Sequence, residues 1–214
     1  MASKPVLGYW DARGLGEDIR TMLVYLNVDF EDKRYKPSDR SKWLNEKFTL
    51  GLNFPNLPYY LDGDVKLSQS CAILRYLGRK HKLDGETEQE KNNIAVVELQ
   101  VMDKFMANAL VCYSPDCEKL KVDYLKTLPD EIKLFANFLK NKSYVAGNKI
   151  SYVDFLLHEF LTKIETFVPG TLAPHDNLTK FVERINSLPR VSEYIKNRKP
   201  SIFNGPMAKW NATF

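Results

Sequence analysis

The chain has 214 residues, enough for one large domain or two small ones with a substantial core. Hydrophobic residues make up 44% and charged residues 27%, as in ordinary globular proteins. The net charge of +4 comes from 31 Lys and Arg against 27 Asp and Glu, both spread along the chain, which argues against a nucleic-acid stripe. No run approaches the ~18 apolar residues that a membrane span requires, so no membrane partner is expected.

The start of the chain and the cysteines indicate the compartment. Met1 to Pro5 are followed by only a short apolar run, which is not typical of a secretory signal. Cys71, Cys112 and Cys117 form neither a metal-binding spacing nor a C-x-x-C pair. An odd number of cysteines without a signal favours free thiols in a reducing compartment. We therefore expect a cytoplasmic protein without a bound metal.

The first part of the chain alternates strand-like and helix-like segments. Residues 6–10 read as a strand, and a glycine-containing loop over 13–16 precedes a helical pattern of apolar residues. Residues 30–35 read as an edge strand, because their alternation is poor, and 43–48 as a short helix. The order so far is β-α-β-α.

A hairpin and a helix complete this part. Residues 59–61 and 65–67 flank Asp62-Gly63-Asp64, a strong hairpin signal. Ser70 stands where a side chain can cap the following helix. The whole order β-α-β-α-β-β-α predicts one mixed sheet covered by helices.

The character of the sequence changes near residue 85. Thr87 and Glu90 have the Thr-x-x-Glu form of a capping box, and long helical patterns follow. No hairpin signal occurs after residue 87. We therefore expect a sheet-containing domain over residues 1–85 and an all-helical domain over residues 86–214.

One helix start is especially well defined. Ser151 stands at an N-cap position and Asp154 at the third helical position, so the two can satisfy each other's backbone donors. Ile150 and Phe155 stand where a hydrophobic staple closes. The helix that follows is apolar on much of its circumference, which predicts the core helix of the second domain. Ser151 and Asp154 are thus predicted as a structural cap.

Leu57-Pro58 lies immediately before a predicted strand and allows two interpretations. A cis bond would present the backbone of Leu57 at the sheet edge, able to pair with an extended peptide. An ordinary trans proline at the start of a strand is the more common arrangement. The sequence leaves both open.

Several motifs occur in order along essentially the whole chain. They are Gly8-Tyr9-Trp10-Asp11-Ala12-Arg13-Gly14, Trp43-Leu44-Asn45-Glu46-Lys47-Phe48, Asn53-Phe54-Pro55-Asn56-Leu57-Pro58-Tyr59, Gln69-Ser70-x-Ala72-Ile73-Leu74, Val111-Cys112-Tyr113, Ala146-Gly147-Asn148, Val153-Asp154-Phe155 and Met207-Ala208-Lys209-Trp210. Together they resemble the mu-class glutathione transferases, including the mite allergens of this type. The resemblance implies a thioredoxin-like domain of the order given above, followed by an all-helical domain.

The resemblance also implies a glutathione site. Tyr9 matches the catalytic tyrosine, whose hydroxyl stabilises the glutathione thiolate. Further residues match family positions that bind glutathione. They are Trp10, Leu15, Arg40, Trp43, Lys47, Asn56, Leu57, Gln69, Ser70 and, from the neighbouring subunit, Asp103. Cationic side chains and a helix start suit the two carboxylates of glutathione, and an acidic side chain suits its ammonium. Core packing for Leu15 and Trp43 and a surface charge for Lys47 are the alternatives.

A hydrophobic pocket for the electrophile is implied as well. With Trp10 and Leu15 it comprises Phe105, Met106, Ala109, Tyr113 and Phe203, although Met and Phe at helical spacing also suit a simple core. Phe54 matches an aromatic key that inserts into a partner subunit, and Arg75 a residue at the two-fold axis. The resemblance thus implies a homodimer.

Two positions depart from the family pattern. Only Lys36-Pro37-Ser38-Asp39 stand between Tyr35 and Arg40, shorter than the loop of vertebrate mu enzymes, which predicts a more open pocket of the short-loop invertebrate kind. Gly16 replaces a residue that in some members contacts the ring face of the tyrosine.

The predicted function is the transfer of alkyl or aryl groups from hydrophobic electrophiles to glutathione, a co-substrate, without a further cofactor. The alternatives are a glutathione-dependent isomerase of the sigma kind and a non-catalytic protein on the same fold that binds apolar ligands.

Overall fold

The computed structural model describes residues 4–198 and 203–210. Its sheet contains four strands: β1 Val6–Trp10, β2 Glu31–Tyr35, β3 Tyr59–Asp62 and β4 Val65–Ser68. The strand order is β2-β1-β3-β4, with β1 parallel to β2 and antiparallel to β3, and β3 antiparallel to β4. The mixed sheet and the edge position of the second strand are as predicted. The predicted hairpin forms, and Gly63 in its turn has φ 61°.

Three helices accompany the sheet: α1 Glu17–Tyr25, α2 Ser41–Glu46 and α3 Ser70–Lys80. The prediction for α2 was displaced by two residues at each end, an ordinary uncertainty at helix ends. The prediction that Ser70 caps α3 was wrong. Gln69 is the N-cap residue, its side chain makes no capping hydrogen bond, and Ser70 is already the first residue of the helix.

Between α3 and residue 198 the chain forms helices and their connecting loops, as predicted. Five helices follow: α4 Glu88–Tyr113, α5 Cys117–Leu139, α6 Tyr152–Phe167, α7 Asp176–Asn186 and α8 Val191–Asn197. The capping box at the start of α4 forms, with Glu90 N–H donating to Thr87 Oγ1 at 3.2 Å and Thr87 N–H donating to Glu90 Oε2 at 2.9 Å. None of the described helices is both long enough and apolar enough to cross a membrane.

Helix α6 lies at the centre of the core, as its sequence predicts. Every residue from 152 to 161 is buried, because α6 packs against both α1 and α4. Gly78 of α3 lies against the ring of Tyr152, so close that a Cβ at Gly78 would lie 2.6 Å from Tyr152 Cδ1. The helix therefore joins the sheet-containing part of the chain to the helical part.

Asp154 organises the start of α6. Its Oδ2 accepts hydrogen bonds at 2.7 Å from both the backbone N–H and the hydroxyl of Ser151, and its Oδ1 accepts from Val145 N–H at 2.8 Å. The Ser151 bonds follow from the sequence pattern, whereas the Val145 bond joins the helix to the preceding loop. All three residues are buried.

The two capping residues should therefore differ in their contribution to stability. Asp154→Ala leaves two buried N–H groups without an acceptor, at about 1–3 kcal/mol each, so we expect a loss of roughly 3 kcal/mol. Ser151→Ala keeps both N–H bonds to the carboxylate and should cost about 1 kcal/mol. Denaturant unfolding measures both losses, and equal losses would contradict the assigned role of the Val145 bond.

Candidate active site

A cavity of about 410 Å³ opens between the loop after β1, the second half of α4 and the segment 203–210. Residues expected both for glutathione and for the electrophile line it: Tyr9, Trp10, Leu15, Arg40, Phe105, Met106, Ala109, Tyr113 and Phe203. Pro37 of the short loop also lies on its wall. Lys163 and Asn204 line the cavity too, and sequence reasoning had not selected either.

The Tyr9 hydroxyl can act as a hydrogen-bond donor to a ligand in this cavity. Its oxygen accepts the backbone N–H of Leu15 at 3.0 Å, which leaves the hydroxyl proton available to a ligand. Burial raises the pKa of Tyr9 to about 12, although the Leu15 bond lowers it. The hydroxyl is therefore protonated at neutral pH and acts as a donor rather than as a base. Leu15 contributes its backbone here.

Two glycines allow the backbone to approach the Tyr9 ring. A Cβ at Gly14 would lie 2.5 Å from the Tyr9 hydroxyl oxygen, and one at Gly16 would lie 2.5 Å from Tyr9 Cδ1. Gly14 also has φ 42°, a conformation that L side chains rarely adopt. The departure at Gly16 thus has a physical basis, because the ring packs directly on this backbone.

Arg20 of α1 fixes the segment after Tyr9, a role that sequence reasoning missed. Its guanidinium is buried and donates to the carbonyl oxygens of Ala12 at 2.8 Å and Trp10 at 3.1 Å. It also pairs with Asp32 at 3.0 Å. Arg20 therefore positions the backbone that carries the tyrosine.

The same loop is attached to the helical part of the chain. Arg13 forms a bidentate pair with Glu159 of α6, with distances of 2.9 Å and 2.6 Å. The Arg13 guanidinium carbon lies 3.8 Å from the centroid of the Phe203 ring, and Gly14 N–H donates to Phe203 O at 3.2 Å. These contacts place the loop, α6 and segment 203–210 around one cavity.

Tyr113 occupies the opposite side of the cavity in a similar arrangement. Its hydroxyl oxygen accepts the backbone N–H of Gly205 at 2.6 Å, so its proton also remains available. Burial raises the pKa of Tyr113, while the Gly205 bond opposes the rise. Tyr113 therefore holds segment 203–210 and presents a second donor.

Other residues expected for glutathione lie outside the lining of this cavity. Gln69 has φ 75°, unusual for a residue other than glycine, immediately before α3. Such strain is often found at ligand sites. Ser70 is buried beside it, in the first turn of the helix.

The Leu57–Pro58 bond is cis, the less common of the two arrangements considered. The N–H of Leu57 is taken by Asn56 Oδ1 at 2.9 Å. A ligand that pairs with this amide would have to displace the Asn56 side chain.

Trp43 lies on α2, and Lys47 follows directly at the C-terminal end of this helix. Trp43 is buried, stacks on Tyr59 with ring centroids 5.9 Å apart and meets Tyr35 edge-on at 5.6 Å, so it contributes to packing. The Lys47 ammonium lies 4.7 Å from the centroid of the exposed Phe48 ring. Core packing thus explains the burial of Trp43, which is one of the two interpretations that its sequence position allows.

The remaining predicted residues lie outside the lining of the cavity. Asp103 is exposed on α4, and Phe54 is 75% exposed on the loop before β3. Arg75 of α3 pairs with the buried Glu98 of α4 at 2.7 Å. None of the three lines the cavity of its own chain.

The fold and cavity agree with the comparisons to known proteins. Residues 5–79 match the glutathione S-transferase N-terminal domain, and residues 101–198 match the glutathione S-transferase C-terminal domain. The chain belongs to the glutathione S-transferase family.

Individual relatives extend this assignment to the whole chain. A glutathione S-transferase of Tyrophagus putrescentiae is 58% identical, with 100% of each chain covered, and glutathione S-transferase Mu 2 of Rattus norvegicus is 50% identical, with 96% of this chain and 97% of the relative covered. The crystal structure of the glutathione S-transferase Blo t 8 superposes with a TM-score of 0.89 at 33% identity, covering 96% of this chain and 99% of the other. The predicted resemblance to mu-class and mite enzymes is confirmed.

The close approach at Gly14 provides a test of the tyrosine geometry. Gly14→Ala places a Cβ against the Tyr9 hydroxyl, so we expect at least a ten-fold loss of glutathione transfer to a chlorinated dinitrobenzene. Gly63→Ala is the matched control, because Gly63 also has positive φ but has nothing within 4 Å of its Cβ position. It should cost about 1 kcal/mol of stability and leave turnover unchanged. Equal effects on turnover would contradict this role of Gly14.

Proposed function

We propose that the protein conjugates reduced glutathione to hydrophobic electrophiles, with the Tyr9 hydroxyl donating a hydrogen bond to the glutathione thiolate. The observation that carries the proposal is the Tyr9 hydroxyl itself, whose oxygen accepts Leu15 N–H, so that its proton remains available to a ligand in the largely apolar cavity that Tyr9 lines. The thiolate forms a bond to the electrophilic carbon, and the leaving group departs or the acceptor takes up a proton. Family membership supports the proposal.

A hydrogen bond to the anion explains why the thiol becomes reactive. A free thiol titrates near pKa ~8.5, so most of it is protonated at neutral pH. A donor that bonds the anion better than the neutral thiol lowers this pKa. A shift of about two units corresponds to ~2.7 kcal/mol.

The charged ends of glutathione have suitable partners near the sheet. Arg40 and Lys47, at the two ends of α2, suit one carboxylate. Ser70, in the first turn of the 11-residue α3, suits the other, because the N-terminal N–H groups of a helix favour an anion. Gln69 and the partner subunit's Asp103 suit the ammonium. We propose that the other residues expected for glutathione also bind it, because they match the pattern of the mu-class enzymes.

Three further proposals concern the domains, the location and the assembly of the protein. We assign glutathione binding to residues 1–85 and most of the electrophile pocket to residues 86–214, since the sheet ends before and α4 begins just after this boundary. The free state of Cys71, Cys112 and Cys117 supports a cytoplasmic location. The exposed Phe54 supports a homodimer, because an exposed aromatic of this size suits an interface.

Replacing the hydroxyl tests the mechanism. Tyr9→Phe should lower turnover roughly ten- to a hundred-fold at neutral pH while glutathione affinity changes little, because the only bond to the ligand that it removes is the one to the thiolate. The variant also removes the acceptor of the Leu15 N–H. The pH profile of kcat/KM should also move up by about two units, towards the pKa of the free thiol. A variant with normal turnover and an unmoved profile would refute the assignment.

A pair of surface variants tests assembly. Phe54→Ala should shift the dimer towards monomer and weaken glutathione binding together, since truncating a buried interface Phe typically costs about 3–5 kcal/mol. Asp103→Asn should weaken glutathione binding while the dimer persists. Light scattering and calorimetry measure the two effects. A monomeric Phe54→Ala protein that binds glutathione as tightly as the parent would contradict the shared site.

A further inference from the structure

A buried lysine forms part of the cavity wall. Lys163 of α6 is 1% exposed, and it lines the same cavity as Tyr9 and Tyr113. Its ammonium lies 4.3 Å from the centroid of the Phe105 ring and 3.4 Å from Asn204 Oδ1, and both of these residues also line the cavity. The positive charge therefore lies at the boundary of a space that is otherwise largely apolar.

This charge lacks a counter-charge within the described residues. No carboxylate there forms an ion pair with Lys163, and its single hydrogen bond, to Asn204, is long. Glu159, one helical turn earlier, has both carboxylate oxygens engaged by Arg13. A buried ammonium without a counter-charge is costly, and an anion from solution can supply the negative charge that the described residues do not.

The pKa of Lys163 reflects the burial of its ammonium group. Burial lowers the pKa of Lys163 to about 8, with the neighbouring Cys112 and Glu159 opposing and Arg13 reinforcing the shift. The group is therefore still mainly charged at pH 7. The aromatic rings of Phe105 and Phe167 stabilise a cation only in part.

We propose that Lys163 is an anion-recognition element of the electrophile pocket, which selects apolar electrophiles that carry a carboxylate. The apolar body of such a compound packs against the lining residues, and its carboxylate pairs with the ammonium in a charge-assisted hydrogen bond. The inference rests on the proposed function, because it names the class of electrophile that the same cavity accepts. The opposing possibility is a purely structural lysine, held by the two phenylalanine rings.

A matched pair of ligands tests the proposal without any reaction. Biphenyl-4-carboxylate and biphenyl-4-carboxamide differ in charge but little in shape, and calorimetry at pH 7 measures their binding to the full chain. We expect the parent protein to bind the carboxylate roughly ten- to a hundred-fold more tightly. In Lys163→Met this preference should fall to about one, with binding of the amide showing that the cavity is intact.

The control is Lys142→Met. Lys142 also lies over a phenylalanine ring, 3.6 Å from the centroid of Phe138, but it lies outside this cavity, so the variant changes net charge equally and should keep the preference. If Lys163→Met does not fold, Lys163→Gln, which keeps a donor, replaces it.

The outcomes separate this inference from the proposed function. Equal affinities in the parent, or a preference that survives in Lys163→Met through Arg40 at the cavity rim, would overturn the role of Lys163. Transfer of glutathione to a neutral chlorinated dinitrobenzene by the parent protein tests the proposed function independently. Activity without a carboxylate preference overturns only this inference, whereas a preference without activity supports the anion site and overturns the enzymatic function.

Discussion

The geometry of the cavity depends on the buried pair between Arg13 and Glu159. Their side chains are only 6% and 2% exposed, and the two hydrogen bonds join the loop after β1 to the central helix α6. Removing one partner of such a pair typically costs about 3–5 kcal/mol, because the other charge remains buried. The loop held in this way also donates Leu15 N–H to Tyr9 and Gly14 N–H to Phe203. Movement of one arginine would therefore disturb the tyrosine and the opposite wall together.

Local patterns were sufficient to predict much of the fold. The hairpin around Gly63 and the capping box of Thr87 and Glu90 each depend on neighbours a few residues apart, and the poor alternation of the second strand indicated its place at the sheet edge. The largely apolar circumference of α6 likewise indicated its central position, since a helix that is apolar on most sides is typically buried. The residues of the site came from the resemblance to a family rather than from their own pattern.

Long-range contacts explain most of what could not be predicted. Arg13 and Glu159 are 146 positions apart, and no local pattern pairs a loop arginine with a helical glutamate. Ser70 was wrongly expected to cap α3 because its residue type fits, whereas the unusual backbone of Gln69 ends the loop one residue earlier. Lys163 reads in the sequence as one more charged residue of a helix, and only the packing of α4 and segment 203–210 buries it.

The two tyrosine hydroxyls have a consequence for which molecules the cavity tolerates. Tyr9 and Tyr113 each use the oxygen to accept a backbone N–H, so the hydroxyl proton of each remains available to a ligand in the cavity, and Lys163 on the same wall adds further donors. These three side chains thus offer donors within a largely apolar cavity. Electron-rich groups such as nitro, carbonyl and carboxylate oxygens find partners there, whereas a protonated amine finds no acceptor in the Lys163 ammonium and is repelled by its charge. Basic organic compounds should therefore bind weakly in the cavity, even when they are reactive and apolar enough to enter it.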